Sequence, residues 1–204
     1  MASNGRDRTD VEGGTQYQEH HVQMKTETRK PRLDDVRNST LSKLAVSFDL
    51  ENVFSLPRTE ASSAFYRRKL HVYNLTAVVN RMKKGYRAVR PENISGRSGN
   101  DIASAVSVPL REVLHDHPEC EKIILWSDSC VPQNRNSLTS YAVQLLVEST
   151  QNLRSITQQF CEPGHISIQD VDNIHSIIGR HLSCLEINSP VSMVHHFKAI
   201  RPSG

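Results

Sequence analysis

Residues Ile123–Ser127 read Ile-Ile-Leu-Trp-Ser, and Asp128 follows at once. An unbroken apolar run of this length is what a strand buried on both faces looks like, so a central place in a sheet is expected, with an acid at the carboxyl end. A second run, Leu44–Leu50 (LAVSFDL), has the same character: β-type residues, then Asp49, then a loop containing Pro57. Phe65–Val79 (FYRRKLHVYNLTAVV) carries alternating and β-branched residues. The turn cluster Asn80–Gly85 (NRMKKG) then leads into Tyr86–Val89, which makes strands two and three a hairpin.

A different period marks the helices. After the loop Ser95–Asn100, Ile102, Ala103, Val106, Leu110, Val113 and Leu114 recur at helical spacing, and Pro109 is expected to kink or split that helix. Ser137–Asn152 reads as a second helix, Ile156–Phe160 as a short fifth strand, Val171–Leu182 as a third helix and Pro190–Ile200 as a fourth. The order βββαβαβα predicts an α/β domain with a five-stranded mixed sheet flanked by helices. Right-handed crossovers leave few topologies open, and the ribonuclease H-like fold is one of them. In that fold the first and fourth strands lie side by side at the sheet centre.

Composition narrows the rest. The chain has 204 residues, 37% apolar, 5% aromatic and 23% charged, with a formal charge of +3. No stretch approaches the ~18 to 20 apolar residues of a membrane span, and Met1–Gly14 is too polar for a signal peptide, so a soluble intracellular chain is expected. Residues 1–40 are polar and without period, which predicts a disordered or loosely helical tail, and residues 41–204 form the folded domain. The basic run Lys25–Arg37 reads as a solvated tail, a phosphate contact or a nuclear import signal, diluted by Asp34 and Asp35. Cys120, Cys130, Cys161 and Cys184 form no C-x-x-C pair, so reduced thiols are expected rather than a zinc knuckle or a disulfide framework.

If strands one and four are neighbours, Asp49 and Asp128 converge, and the third helix brings Asp172 over them. Magnesium or manganese takes hard oxygen ligands, and two such ions ~4 Å apart can activate a water and stabilise a leaving oxygen at a phosphodiester. Asp49, Asp128 and Asp172 are therefore the candidate catalytic and metal-ligating residues. Asp101, in the first turn of the first helix, is either a fourth ligand or an acid favoured by the helix N-terminus. Glu51 and Asp170 are the nearest substitutes. Each strand-end acid also has a plain reading as a solvated or turn-capping residue.

Gln133, Asn134, Arg135 and Asn136, between strand four and helix two, are candidate phosphate contacts or helix-capping residues. Arg67 and Lys69 face one side of strand two and Arg68 the other. With Arg81, Lys83 and Lys84 they suit nucleic acid, for which Tyr66, Tyr73 and Tyr86 would stack, or a charge-protected sheet edge. His165 and His175 are candidates for orienting substrate or ligands, because with Cys130 or Cys161 they match no zinc spacing.

Several blocks go further. Phe48-Asp49-Leu50, Phe65–Leu70 with Tyr73–Thr76, Asn100–Ser104, Ser127–Cys130 with Gln133–Asn136, and Ile156–Gln158 through Gly164-His165 to Asp172 and His175 resemble an animal family of many-copy, transposon-associated genes. Its members carry FDL, FY-RKL-YNLT, SD-C-QNRN and GH-D-H blocks, and the resemblance runs from about Leu41 to Arg201. It implies a transposase-like, ribonuclease H-like domain whose carboxylate positions match Asp49, Asp128 and Asp172. The chain departs from the family pattern in places. Gln169 stands where a glutamate is usual, with one extra residue in the run. Gly179 stands where an acid follows the histidine, Pro91 where an aspartate is frequent, and the upstream cysteine-rich region of longer members is absent. A shortened, drifting copy is the expectation.

Together these readings predict a transposon-derived domain, ancestrally a divalent-metal-dependent nuclease or transposase acting on DNA in the nucleus, with a homodimer as the transposase-like assembly. The rival is the same fold kept as a catalytically inactive nucleic-acid- or protein-binding module.

Overall fold

Strand β1 (Lys43–Leu50) lies at the middle of the sheet because two partners compete for neither of its edges. One edge pairs antiparallel with β3 (Leu70–Val79), with Asp49 opposite Thr76, and the other pairs parallel with β5 (Lys122–Ser127), with Ser47 opposite Trp126. The two apolar runs are thus neighbours, as the sequence predicts. This computed structural model describes residues 29–59, 66, 68–161 and 169–200.

Beyond β3 lies β4 (Lys84–Pro91), and beyond β5 lies β6 (Ser155–Phe160) in parallel. A short strand, β2 (Phe54–Leu56), pairs with the start of β3 past the end of β1. The described sheet therefore has six strands, not five. Three residues inside a proline-containing loop carry no periodic signal, and it is the free edge of β3 that recruits them. Phe65 and Arg67, at the expected start of strand two, lie outside the described residues.

Alternation along the strands separates two cores. Leu44, Val46 and Phe48 of β1, Leu75, Ala77 and Val79 of β3, and Ile123 and Leu125 of β5 face α2 (Gly99–Asp116) and α3 (Ser137–Ser149). The opposite face is covered by α4 (Gln169–Ser183) and α5 (Pro190–Ala199), whose Val171, Ile174, Ile178, Leu182, Met193 and Phe197 pack on Leu56, Val72 and Val78. Fully burying a side chain of the Leu or Phe class stabilises the fold by roughly 1.5–3 kcal/mol, so a truncation such as Leu125→Ala would cost about 2–5 kcal/mol. Pro109 does not split α2, which runs on through it. Pro109 is buried among Ala105, Val106, Leu110 and Val113, and that packing outweighs one missing backbone bond.

Residues 29–37 form a helix, α1, and its Arg32 is only 4% exposed. The packed part of the chain thus begins upstream of the expected start at Leu41. No apolar period announces α1, because a buried ion pair holds it in place of an apolar stripe.

Candidate functional site

On β1 the residues Ala45, Ser47 and Asp49 alternate with the α2-side core, so Asp49 points to the face that α4 covers. The same parity on β5 carries Ile124 and Trp126 toward that face, with Asp128 just past the strand end. Helix α4 supplies the third acid. Its core stripe is Val171, Ile174, Ile178 and Leu182, and at about 100° per residue Asp172, His175 and Gly179 fall on an adjoining face, about a quarter-turn away. That face borders a cleft of about 460 Å³ lined by Asp49, Glu51, Asn52, Phe54, Asp172 and His175. Asp128 does not line the cleft, but its charge reaches Asp49.

Electrostatics tie the three acids together. The Asp49 carboxyl is pushed up to about 7 by burial first and then by the charges of Asp128 and Asp172, against a backbone hydrogen bond from Leu50 N at 2.8 Å. Burial also raises Asp172, and the Arg32 guanidinium pulls it back down. Glu51, 8% exposed, is likewise raised by burial to about 7, although Asn74 Nδ2 donates to its Oε2 at 2.6 Å and Arg87 is near. His175 is pushed down to about 4 by burial and by Arg87, so the ring is neutral at physiological pH. Its Nε2 is buried without a hydrogen-bond partner among the described residues. A pocket of acids with too little positive charge and an unsatisfied imidazole nitrogen is one that a ligand would complete.

The donor set fits a divalent cation in kind, since carboxylate oxygens are the ligands that magnesium and manganese take. Closure is another matter: among the described residues no three His, Cys, Asp or Glu side chains converge closely enough to hold an ion.

Asp101 stands apart from this cluster. Its Oδ2 accepts from Ser98 N at 3.0 Å and from Ser98 Oγ at 2.6 Å, and its Oδ1 from Ser95 Oγ at 2.8 Å, in the capping box of α2. These bonds lower its carboxyl to about 2. Asp101 is thus the acid of a helix cap, with its carboxylate partners Ser95 and Ser98 in the loop that leads into α2.

The polar block before α3 is also mostly structural. Asn134, 1% exposed, donates to Asp128 Oδ1, which also accepts from Cys130 N at 3.2 Å. Asn136 is the N-cap, accepting from Thr139 N at 3.0 Å, and the Gln133 carbonyl accepts from Asn136 Nδ2 at 3.1 Å. Only Arg135 of the four is exposed, stacked with its guanidinium carbon 5.6 Å from the Phe160 ring centre. Of the two readings the sequence offers for this block, the structure shows Asn134 bracing Asp128 and Asn136 capping α3.

The basic strand is corrected in part. Tyr73 and Tyr86 are each 8% exposed, so neither can stack on a base, whereas Tyr66 is exposed. Lys84 pairs with Asp116 at 2.7 Å, and Arg81 donates to the Ser39 carbonyl. Lys69 is half-buried in a hollow with Arg68 and Glu92. Arg67 and His165 lie outside the described residues, as does the side chain of Gln169. All four cysteines are free.

No family model matches the chain, and no curated protein does. Among solved structures it is similar to a chain in the simian T-cell lymphotropic virus intasome in complex with PP2A regulatory subunit B56 gamma. The identity is 10%, the TM-score 0.46, and the match covers 79% of this chain and 49% of that one. This chain thus spans about half the length of that neighbour. No helix among the described residues is long and apolar enough to cross a membrane.

Sequence reasoning missed Glu51 except as a substitute, and it missed Asn74, Arg87 and Arg32. Asn74 and Thr76 inside the β-branched run Leu70–Val79 were the available signal, since polar residues on a strand that is otherwise apolar mark a face that is not pure core.

Proposed function

We propose that the domain is ribonuclease H-like and acts on phosphodiester bonds of nucleic acid, most simply DNA, with a divalent cation held by Asp49, Asp128 and Asp172. The observation that carries the reading is that acids from β1, the end of β5 and the start of α4 are brought close enough for Asp49, pushed up to about 7 by burial first, to feel the charges of Asp128 and Asp172 as well. The sheet order β4-β3-β1-β5-β6, with acids past the ends of the paired central strands, and the ordered transposon-associated blocks in the sequence support it.

The bound cation would supply charge to activate a water or a 3′-hydroxyl and to stabilise the leaving oxygen. The chain's own residues do the rest. Asn134 and the Cys130 amide hold Asp128 to one orientation. His175 offers a neutral imidazole at the cleft, and Arg135 is placed to meet a phosphate from outside it. His175 and Arg135 are the proposed substrate contacts, with Lys69 just before β3.

A second reading, the fold retained for binding with its chemistry lost, is favoured by one observation: the acids do not already form a closed ligand group among the described residues. Magnesium-dependent nicking of DNA by the purified chain separates the two. Acid-dependent nicking, lost in both Asp49→Asn and Asp128→Asn, is the expected result. If the wild-type chain and both variants bind DNA equally and none nicks it, the enzymatic reading is refuted and the binding module stands.

A further inference from the structure

Helix α1 is tied to the domain by buried polar contacts that fall at a regular place. Arg32, buried, donates from a terminal guanidinium nitrogen to Asp170 Oδ2 at 3.2 Å, and the same oxygen accepts from Asn80 Nδ2 at 2.6 Å. Asn80 Oδ1 in turn accepts from Ser47 Oγ at 3.1 Å. Three residues on, and so on the same face of α1, stands Asp35, whose Oδ2 accepts from the indole Nε1 of Trp126 at 3.0 Å. Ser39, just past the helix, donates to the Asp35 carbonyl at 2.9 Å and accepts from Ala45 N at 3.2 Å.

The ends of these tethers are Ser47, Trp126 and Asp170. Each stands two residues before one of the acids Asp49, Asp128 and Asp172. On β1 a separation of two keeps the tether and the acid on the same face, and on α4 both lie in the first turn. A helix that only covered apolar surface would need no buried guanidinium. A charge taken out of water is retained where its partner's position matters, or it is replaced by apolar packing.

We propose that α1 is a positioning strap for the three acids, with Arg32 and Asp35 as its positioning residues. Arg32 fixes the first turn of α4 and so the direction from which the Asp172 carboxylate approaches Asp49. Asp35 fixes the end of β5 and so the base of Asp128. This rests on the proposed cation site.

The test uses the full chain with Arg32→Met, Arg32→Lys and Asp35→Ala, and two readouts: manganese affinity by electron paramagnetic resonance titration, and amide hydrogen exchange over 170–178 with α2 as internal reference. Removing a positive charge beside acids should by itself tighten manganese binding. The strap predicts the opposite for Arg32→Met, which weakens binding about tenfold, and Arg32→Lys recovers part of the loss; Asp35→Ala also weakens binding, but in the same direction as the loss of its own negative charge, so Arg32 carries the test. Exchange over the first turns of α4 should rise about tenfold in Arg32→Met while α2 is unchanged. Manganese affinity equal to or above wild type in Arg32→Met overturns the proposal, and so does unchanged exchange over α4. If the wild-type chain takes up no manganese, the cation reading fails separately, and exchange alone decides the strap. If Arg32→Met does not fold, Arg32→Lys supplies both readouts, with a partial loss of affinity and a partial rise in exchange expected and wild-type values for both overturning the strap.

Discussion

Replacing Asp49 with asparagine should make the fold more stable at pH 8, and by less than half as much at pH 5. The carboxyl sits at about 7 in the folded chain against an ordinary 3.8, so between those values the folded state holds a proton that the unfolded state has released. Stability therefore falls as pH rises through that window and levels off above about 7, the reverse of a salt-bridged carboxylate. At 1.36 kcal/mol for each tenfold change in proton affinity, the gap between 3.8 and about 7 sets an upper bound of about 4 kcal/mol on the destabilisation from ionised Asp49. Relaxation and the Leu50 hydrogen bond, which asparagine can keep, leave about 2–3 kcal/mol as the expected gain at pH 8. Urea unfolding of wild type and Asp49→Asn at pH 5 and pH 8, in the presence of a chelator, measures it. Equal differences at the two pH values would refute the reasoning, because the effect must follow the ionisation. With magnesium added at pH 8, the wild-type deficit should shrink, as a ligand that binds only the folded state stabilises it.

Four further variants have expected outcomes. Asp101→Asn should leave manganese affinity unchanged, and Ser98→Ala should cost about 1 kcal/mol in urea unfolding, as loss of a helix cap does; weakened manganese binding in Asp101→Asn would return that residue to the metal site. Gly179→Ala should stabilise the chain by about 0.5–1 kcal/mol in thermal unfolding, because a Cβ there meets nothing within 4 Å and the position is mid-helix. Asn134→Ala should cost about 1–3 kcal/mol and lower manganese affinity, since it strips a buried partner from Asp128; a change in stability alone would limit Asn134 to a packing role.

The order of the elements, the pairing of the two apolar runs and the placing of acids at their ends were legible in the sequence. Each rests on local chemistry: a run such as IILWS can be buried only on both faces, and the stripe Val171, Ile174, Ile178, Leu182 has one helical solution. What a polar residue does was not legible in this way. Asp49 and Asp101 are the same amino acid near the ends of elements, yet one is raised to about 7 and the other lowered to about 2. The difference lies in burial and in charges distant in sequence for Asp49, and in hydrogen bonds from the loop before α2 for Asp101. Tyr73 and Tyr86 could not be read as buried, because an aromatic on a strand is equally at home on either face until the helices are placed.

Sequence alone thus determined five of the six described strands, the helices α2 to α5 and the three acids that merit attention, because hydrophobic period is a property of neighbouring residues. Only the tertiary structure decided that Arg32 leaves the basic tail for the interior, that Asn134 serves Asp128 and that the acids share one field. Those outcomes depend on the balance between desolvation and pairing across long chain separations, and no local pattern records that balance.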